Sequence, residues 1–188
     1  SIGQAPLPLA IQAYHRALRT FTAQRYPREY AILHNNLATA YLSTSMAEAR
    51  EGVREALAVQ SFKEALAVVT FEEDPVEFAM LQNNLGNALQ ATRTNRQLAN
   101  LAEAVVAYDQ ALRVRTPHDT PIEYANTIAN KANALMNLPD DPSDLDKGNP
   151  ENLRAAADLL EEAAELFGRH GVGDRAAVVG ELAAELRA

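Results

Sequence analysis

Cysteine and tryptophan are absent from this 188-residue chain, and its aromatic side chains amount to six tyrosines and five phenylalanines. Without cysteine there are no disulfides and no thiolate metal sites, which fits a reducing, cytoplasmic setting. No apolar run approaches the roughly 20 residues that a bilayer-spanning helix needs, and no leader segment is recognisable after Ser1. β-Branched residues are sparse, and glycine and proline gather at segment boundaries. What remains is 47% hydrophobic and dominated by alanine and leucine, a composition that favours an all-helical protein. At this length a sizeable core is affordable.

The groups that carry chemistry are missing too. There is no glycine-rich phosphate loop and no nucleophile elbow. His15, His34, His118 and His170 lie far apart in sequence and make no ligand pair. Glu161/Glu165 is an i,i+4 surface pair, not an acid–base dyad. The acidic stretch Asp140, Asp141, Asp144 and Asp146 lacks the alternating ligands, sixth-position glycine and closing glutamate of a calcium loop, and a flexible solvated loop is expected there. No enzyme, cofactor or metal site is expected. The net charge of −8 is uneven: residues 1–71 carry seven basic and five acidic side chains, residues 72–188 ten and twenty. That balance argues against nucleic acid and anionic membranes as partners.

Against these absences stands one phrase, present three times: YPREYAILHNNLATAY (Tyr26–Tyr41), DPVEFAMLQNNLGNAL (Asp74–Leu89) and TPIEYANTIANKANAL (Thr120–Leu135). Each reads as a helix. Asp74 and Thr120 stand at the N-cap, Pro75 and Pro121 at the first helical position, and Glu77 and Glu123 three residues after the cap, as in a capping box. The first copy has Tyr26 at the cap and a weaker start. Phe78, Leu81, Leu85 and Leu89 form an apolar stripe.

A second pattern, small–x3–large–x2–small, alternates with the phrase: Ala10/Tyr14/Ala17, Ala58/Phe62/Ala65, Ala104/Tyr108/Ala111 and Ala156/Leu160/Ala163. From each large residue to the matching position of the next phrase the distance is constant at 23 residues: Tyr14 to Leu37, Phe62 to Leu85, Tyr108 to Lys131 and Leu160 to Ala183. The chain is therefore an array of helix pairs. Its period is 48 residues from Glu29 to Glu77 and 46 from Glu77 to Glu123.

Here the sequence resembles the tetratricopeptide repeat family, whose basic unit is about 34 residues. Leu37-Ala38 with Tyr41, and Leu85-Gly86 with Leu89, hold the family's first-helix positions. The Ala/large/Ala trios hold the second-helix positions, and Pro117 lies near the closing proline. The longer period, and the Pro-x-x-x-Ala…Asn-Asn-Leu phrase in Asn35-Asn36-Leu37 and Asn83-Asn84-Leu85, look like the long-repeat variants of kinesin light chains and bacterial regulatory proteins. The resemblance implies a right-handed, all-α superhelical solenoid of antiparallel pairs, about eight helices in one domain over 1–188. A half repeat is expected at 7–23, repeats at 28–71, 75–115 and 121–168, and a terminal half repeat at 174–187. Turns are expected at Ser43–Ser45 and Thr92–Asn95, a lead-in without structure at 1–6, and a helix beginning near Met46. Asn149-Pro150 is expected to cap the helix after the acidic loop, and Gly168 or Gly171 to end it.

Two departures stand out. Lys131 takes the place of Leu37 and Leu85, so the third pair packs differently there or the lysine stem snorkels out. The array also opens on a second-half helix with no first-half partner, leaving apolar surface that a longer chain or self-association would cover.

The phrase helices carry a second stripe. Asn126, Asn130, Asn133 and Asn137 fall within about 60° of one another on one face; the equivalent positions are Met80, Asn84, Asn87 and Ala91, and Ile32, Asn36, Thr39 and Ser43. Asparagine costs roughly 0.5–0.7 kcal/mol against alanine in a helix, so a merely solvated face would use Glu, Lys or Gln. Its short amide offers both a donor and an acceptor, which suits a peptide backbone. In proteins of the resembling family this stripe lines the concave side, where extended peptides bind. The groove set expected is Asn36, Thr39, Asn83, Asn84, Asn87, Asn126, Asn130, Asn133 and Asn137. Alternatively, these amides bond one another and neighbouring helices. The family's carboxylate-clamp version needs Lys or Arg beside the asparagines, and the stripe holds neither. The functional expectation is an interaction module, a scaffold or adaptor gripping an extended segment of another protein. The alternatives are a peptide-sensing regulatory domain of a larger protein, or a structural scaffold, with homodimerisation through the first helix.

Overall fold

The computed structural model describes residues 6–43, 52–93 and 96–188. Among the described residues there are eight α-helices and no strand: α1 (Pro6–Ala17), α2 (Pro27–Ser43), α3 (Val53–Leu66), α4 (Pro75–Ala91), α5 (Gln97–Leu112), α6 (Pro121–Met136), α7 (Pro150–Arg169) and α8 (Gly173–Arg187). The fold is all-α and built of helix pairs, as the repeated phrase predicts. The lead-in at 1–5, Thr44–Ser45 of the first turn, the helix start at Met46 and Thr94–Asn95 of the second turn lie outside the described residues. The contacts divide the chain into two compact units, Ser1–Asn95 with α1–α4 and Arg96–Ala188 with α5–α8.

In the first unit each helix packs on the next in sequence. Tyr30, near the start of α2, donates its hydroxyl hydrogen to Glu64 near the end of α3 at 2.7 Å, as antiparallel packing requires. Ala58, Phe62 and Ala65 are all buried: the alanines let the α3 backbone approach its neighbours and the ring fills the space between, contributing roughly 1.5–3 kcal/mol by its burial. The α1 trio differs. Ala10, Tyr14 and Ala17 are only half-buried, and Leu9 is 61% exposed. The helix expected to run to Ala23 stops at Ala17. The amides of Arg19 and Thr20 switch to i→i−3 bonds, and Phe21 turns edge-on to Tyr26, 5.3 Å between centroids. Likewise α3 ends at Leu66, short of Phe71, where Val68, Val69 and Thr70 follow with poor helix propensity.

The second unit repeats the scheme with clearer registration. Arg115 after α5 donates to the Thr127 hydroxyl on α6 at 2.8 Å, and Lys131 meets Asp109 at 2.5 Å; the order of these contacts makes α5 and α6 antiparallel. Lys131 thus resolves its misfit by reaching a carboxylate. Ala125 and Ile128 pack on Ala163, Leu166 and Phe167, while Ala132 and Leu135 pack on Ala156, Leu160 and Ala183. Arg187 at the end of α8 pairs with Asp158 and Glu161 on α7.

Helix ends follow the sequence signals in part. Asp74 caps α4 through the Glu77 amide at 3.2 Å. Thr120 does not cap α6: its hydroxyl is taken by the Thr116 amide at 3.1 Å. Nor does Asn149 cap α7. Its amide donates to the Met136 carbonyl at 2.7 Å, and the Asp140 carboxylate accepts from the Glu151 and Asn152 amides, both at 2.8 Å. In the acidic loop Asp141 accepts from Ser143 and Lys147 and a 3₁₀ turn spans Leu145–Lys147, while Asp146 stays exposed. α7 ends at the glycine stop: Gly171 has φ 77°, and the Val172 amide reaches back to the Phe167 carbonyl at 2.8 Å, the bond of a Schellman turn.

Candidate functional site

The asparagine stripe falls on an open surface of each phrase helix. On α6, Asn126 and Asn130 are half-buried and Asn133 and Asn137 exposed. On α4, Asn84 is half-buried and Asn87 exposed; on α2, Asn36 and Thr39 are both exposed. Asn83 does not share that surface. It is 8% exposed, because a step of one residue rotates it about 100° from Asn84, to the side of the buried Ala79 and Gly86.

Part of the hydrogen-bonding capacity is spent at home. Thr39 donates to the Asn35 carbonyl at 3.0 Å and Ser43 to the Thr39 carbonyl at 2.8 Å. Asn137 donates to the Asn133 carbonyl at 2.9 Å. Asn83 stands 3.5 Å from the Asn84 amide oxygen as a donor. Short polar side chains in helices commonly back-bond in this way.

In the second unit three of the stripe residues come together. Asn126, Asn130 and Asn133 line an open hollow of about 350 Å³, with Ala129 from the same helix, Phe167 from α7, and Asp174, Arg175, Val178 and Val179 from α8. The glycine stop after Phe167 and the antiparallel return of α8 place this wall opposite the stripe. Arg175 donates to the Asn126 amide oxygen, and its guanidinium carbon lies 5.6 Å from the Phe167 ring centroid. Sequence reasoning missed Arg175. It sits in the first turn of α8 and not on the asparagine stripe, and only the α7–α8 turn brings it across from Asn126.

The first unit holds a different cluster. His15 is hydrogen-bonded to the Tyr41 hydroxyl at 2.8 Å, and the His34 ring packs against Tyr30 at a tilt of 56° with centroids 4.4 Å apart. Two histidines far apart in sequence therefore share one neighbourhood. Burial lowers the His34 pKa, with attraction to Glu64 opposing and repulsion from His15 adding. Burial, then the hydrogen bond to Glu64, pushes Tyr30 up to about 12. The Tyr30 hydroxyl, then Gln60, holds Glu64 below the ordinary carboxylate value. The cluster is a packed hydrogen-bonded contact between α1, α2 and α3. Among the described residues no group of three His, Asp or Glu side chains could hold a metal ion, and no described helix is long and apolar enough to cross a membrane.

No family model matches the chain. No curated protein matches it either. Among solved structures the chain is similar to one titled "Crystal structure of MamA", with 16% sequence identity over 96% of this chain and 88% of that one and a TM-score of 0.49.

Proposed function

We propose that this chain is a protein-interaction module that holds an extended segment of a partner against the asparagine-bearing faces of its phrase helices. One observation carries the reading: Asn126, Asn130 and Asn133 converge on an open hollow of about 350 Å³ with an apolar wall. Amides at such a place meet the alternating C=O and N–H groups of a strand, and the wall takes a side chain. In the first unit the exposed Asn36 and Asn87 carry the same amides, and Thr39, whose hydroxyl donates to the Asn35 carbonyl, adds an acceptor. Sequence spacing adds the likeness to long-repeat tetratricopeptide proteins. In this reading the module is a scaffold or adaptor, and no catalytic step is assigned to it.

The test is a photoreactive residue in place of Asn133 to identify the segment that docks, followed by the quadruple variant Asn84→Ala, Asn87→Ala, Asn130→Ala, Asn133→Ala. Each lost hydrogen bond should weaken binding roughly 3- to 10-fold at unchanged helicity. Full binding by the quadruple variant would show that the amides are not the grip.

Self-association is the second reading, favoured by the half-buried Ala10/Tyr14/Ala17 trio and the exposed Leu9 on α1. Light scattering across a concentration series separates the two: a monomer at every concentration removes it.

A further inference from the structure

α8 leaves open a flank that α2 and α6 bury. Each of these helices has two alanines seven residues apart at the same place in the phrase: Ala31 and Ala38, Ala125 and Ala132, Ala177 and Ala184. Residues at that spacing lie within about 20° of one another, so one partner helix covers both. The pairs of α2 and α6 are buried and the pair of α8 is exposed. On α6 the cover is α7: Ala125 packs with Ala163, and Ala132 with Ala156 and Leu160, the trio of a second-half helix. α1 carries the same trio, and its flank is open in turn. Ala10, Tyr14 and Ala17 are half-buried, whereas Ala156, Leu160 and Ala163 are buried. Ala13 stands where α7 has Leu159, which packs on both of those clusters, and Ala13 is exposed.

We propose that α1 of one copy of this chain docks on α8 of another, its trio covering Ala177 and Ala184 as the α7 trio covers Ala125 and Ala132. This rests on the self-association reading and names both surfaces of it; the peptide reading is independent. Two observations select a second copy. The first is register: α1 offers the small–large–small pattern that a phrase helix already accepts from α7, with alanines that let two backbones approach. The second is charge. Residues 6–28 hold four arginines and no acid, whereas residues 150–188 hold eight acids and four bases. Leu9, Ala13 and Arg16 form one exposed stripe at i, i+4 and i+7, and Ala177, Glu181 and Ala184 form the other. Facing each other, the stripes set an arginine-bearing surface against an acidic one, within the screening length of about 8–10 Å. Two α1 helices face to face would instead bring arginines together. The contact joins two different surfaces and is therefore heterologous, so copies add until the series closes on itself. A single helix on a single helix falls below the roughly 1,200 Å² of a standard interface, and the contact is accordingly weak.

The experiment is analytical ultracentrifugation of the 188-residue chain from roughly 10 μM to 1 mM. It compares the wild type, Ala13→Glu, Ala184→Glu and an equal mixture of the two variants. Both positions are exposed, glutamate is a good helix former, and unchanged circular dichroism reports that the fold is kept. The wild-type mass is expected to rise past that of a dimer. Each variant alone should need about 10-fold or more protein to reach the same mass, because it sets an unpaired carboxylate in the contact. The mixture should form dimers and stop there, since it pairs one intact α8 flank with one intact α1. Loss of assembly in Ala13→Glu with full assembly in Ala184→Glu would overturn the role of α8 and leave self-association through α1 standing. A mixture that stays monomeric while the wild type assembles, or full assembly in both variants, would overturn the α1–α8 match. A wild-type monomer at every concentration would overturn the self-association reading with it.

Discussion

The Lys131 ammonium on α6 stands 2.5 Å from the Asp109 carboxylate on α5, at the helix position where Leu37 and Leu85 are buried at 2% and 6% exposure. The lysine side chain is 21% exposed and the aspartate 49%, so the pair is partly solvated and contributes at most about 1 kcal/mol. A leucine here would bury its whole side chain and leave Asp109 in water. Lys131→Leu is expected to raise stability by about 0.5–1 kcal/mol in urea unfolding. A loss larger than about 1 kcal/mol would mean that the ion pair, and not the hydrocarbon stem, fixes the α5–α6 contact.

The cap of α7 is supplied from outside its own sequence neighbourhood, by Asp140 acting on the amides of Glu151 and Asn152. Two charge-assisted bonds at a helix N-terminus combine capping with the favourable dipole interaction. Asp140→Ala should cost about 1–2 kcal/mol and speed hydrogen exchange at Glu151 and Asn152 first. Asp140→Asn should lose less, since an amide oxygen still accepts. Ser143→Ala, in the same loop but bonded only to Asp141, is the control and should change little.

That cap shows where sequence reading ran out. The helices were legible because apolar spacing and the fixed 23-residue step survive in any order of packing. The loop was not, because nothing in LPDDPSDLDKGNP says which of its aspartates will fold back on the following helix. Asn149 has the right residue type at the right place and is nonetheless drawn to the Met136 carbonyl. The ends of α1 and α3 were overestimated for a related reason: alanine-rich periodicity continues past the point where Phe21, or the Val68-Val69-Thr70 run, finds a better use for its backbone. At the candidate site the stripe was legible and its closure was not. Asn126, Asn130 and Asn133 share a face by helical geometry alone, whereas Arg175 reaches them only through the left-handed Gly171 turn. Asn83 was placed with its neighbour Asn84 because the Asn-Asn-Leu phrase names both, although a helix sends adjacent residues to different sides.

Gly180 lies inside α8, where glycine is unfavourable by roughly 0.5–1 kcal/mol relative to alanine. A Cβ built there would sit 3.7 Å from the Ala164 Cβ of α7, an ordinary contact distance. Gly180→Ala should therefore stabilise the second unit by about 0.5–1 kcal/mol and be seen as a higher unfolding midpoint. A fall would show that α7 and α8 need a closer approach in solution than a methyl group allows.

The first unit should respond to pH through His34, Glu64 and Tyr30. Burial holds the His34 pKa below its ordinary 6.5, so the unfolded chain takes up this proton at a higher pH than the folded one. Between those two values the unfolded state binds more protons, and stability falls as pH drops below about 6.5. Glu64 has a lowered pKa, chiefly from the Tyr30 hydroxyl; its contribution is present above pH 4.5 and is lost as pH falls through the folded value. Tyr30 works in the opposite range. With its pKa raised from 10.0 to about 12, its contribution is complete below pH 10.0 and is lost as pH rises toward 12. Urea midpoints measured from pH 4 to about 12 on the wild type, His34→Gln and Tyr30→Phe separate these steps. His34→Gln should flatten the fall that begins near pH 6.5 and leave the alkaline limb alone. Tyr30→Phe should remove the alkaline loss and, by taking away the hydroxyl that Glu64 accepts from, weaken the acid step below pH 4.5 as well. If the wild type and His34→Gln run parallel from pH 7 to 5, the imidazole is solvated in the folded chain and the α1–α2–α3 contact is looser than the 4.4 Å separation of the Tyr30 and His34 rings requires.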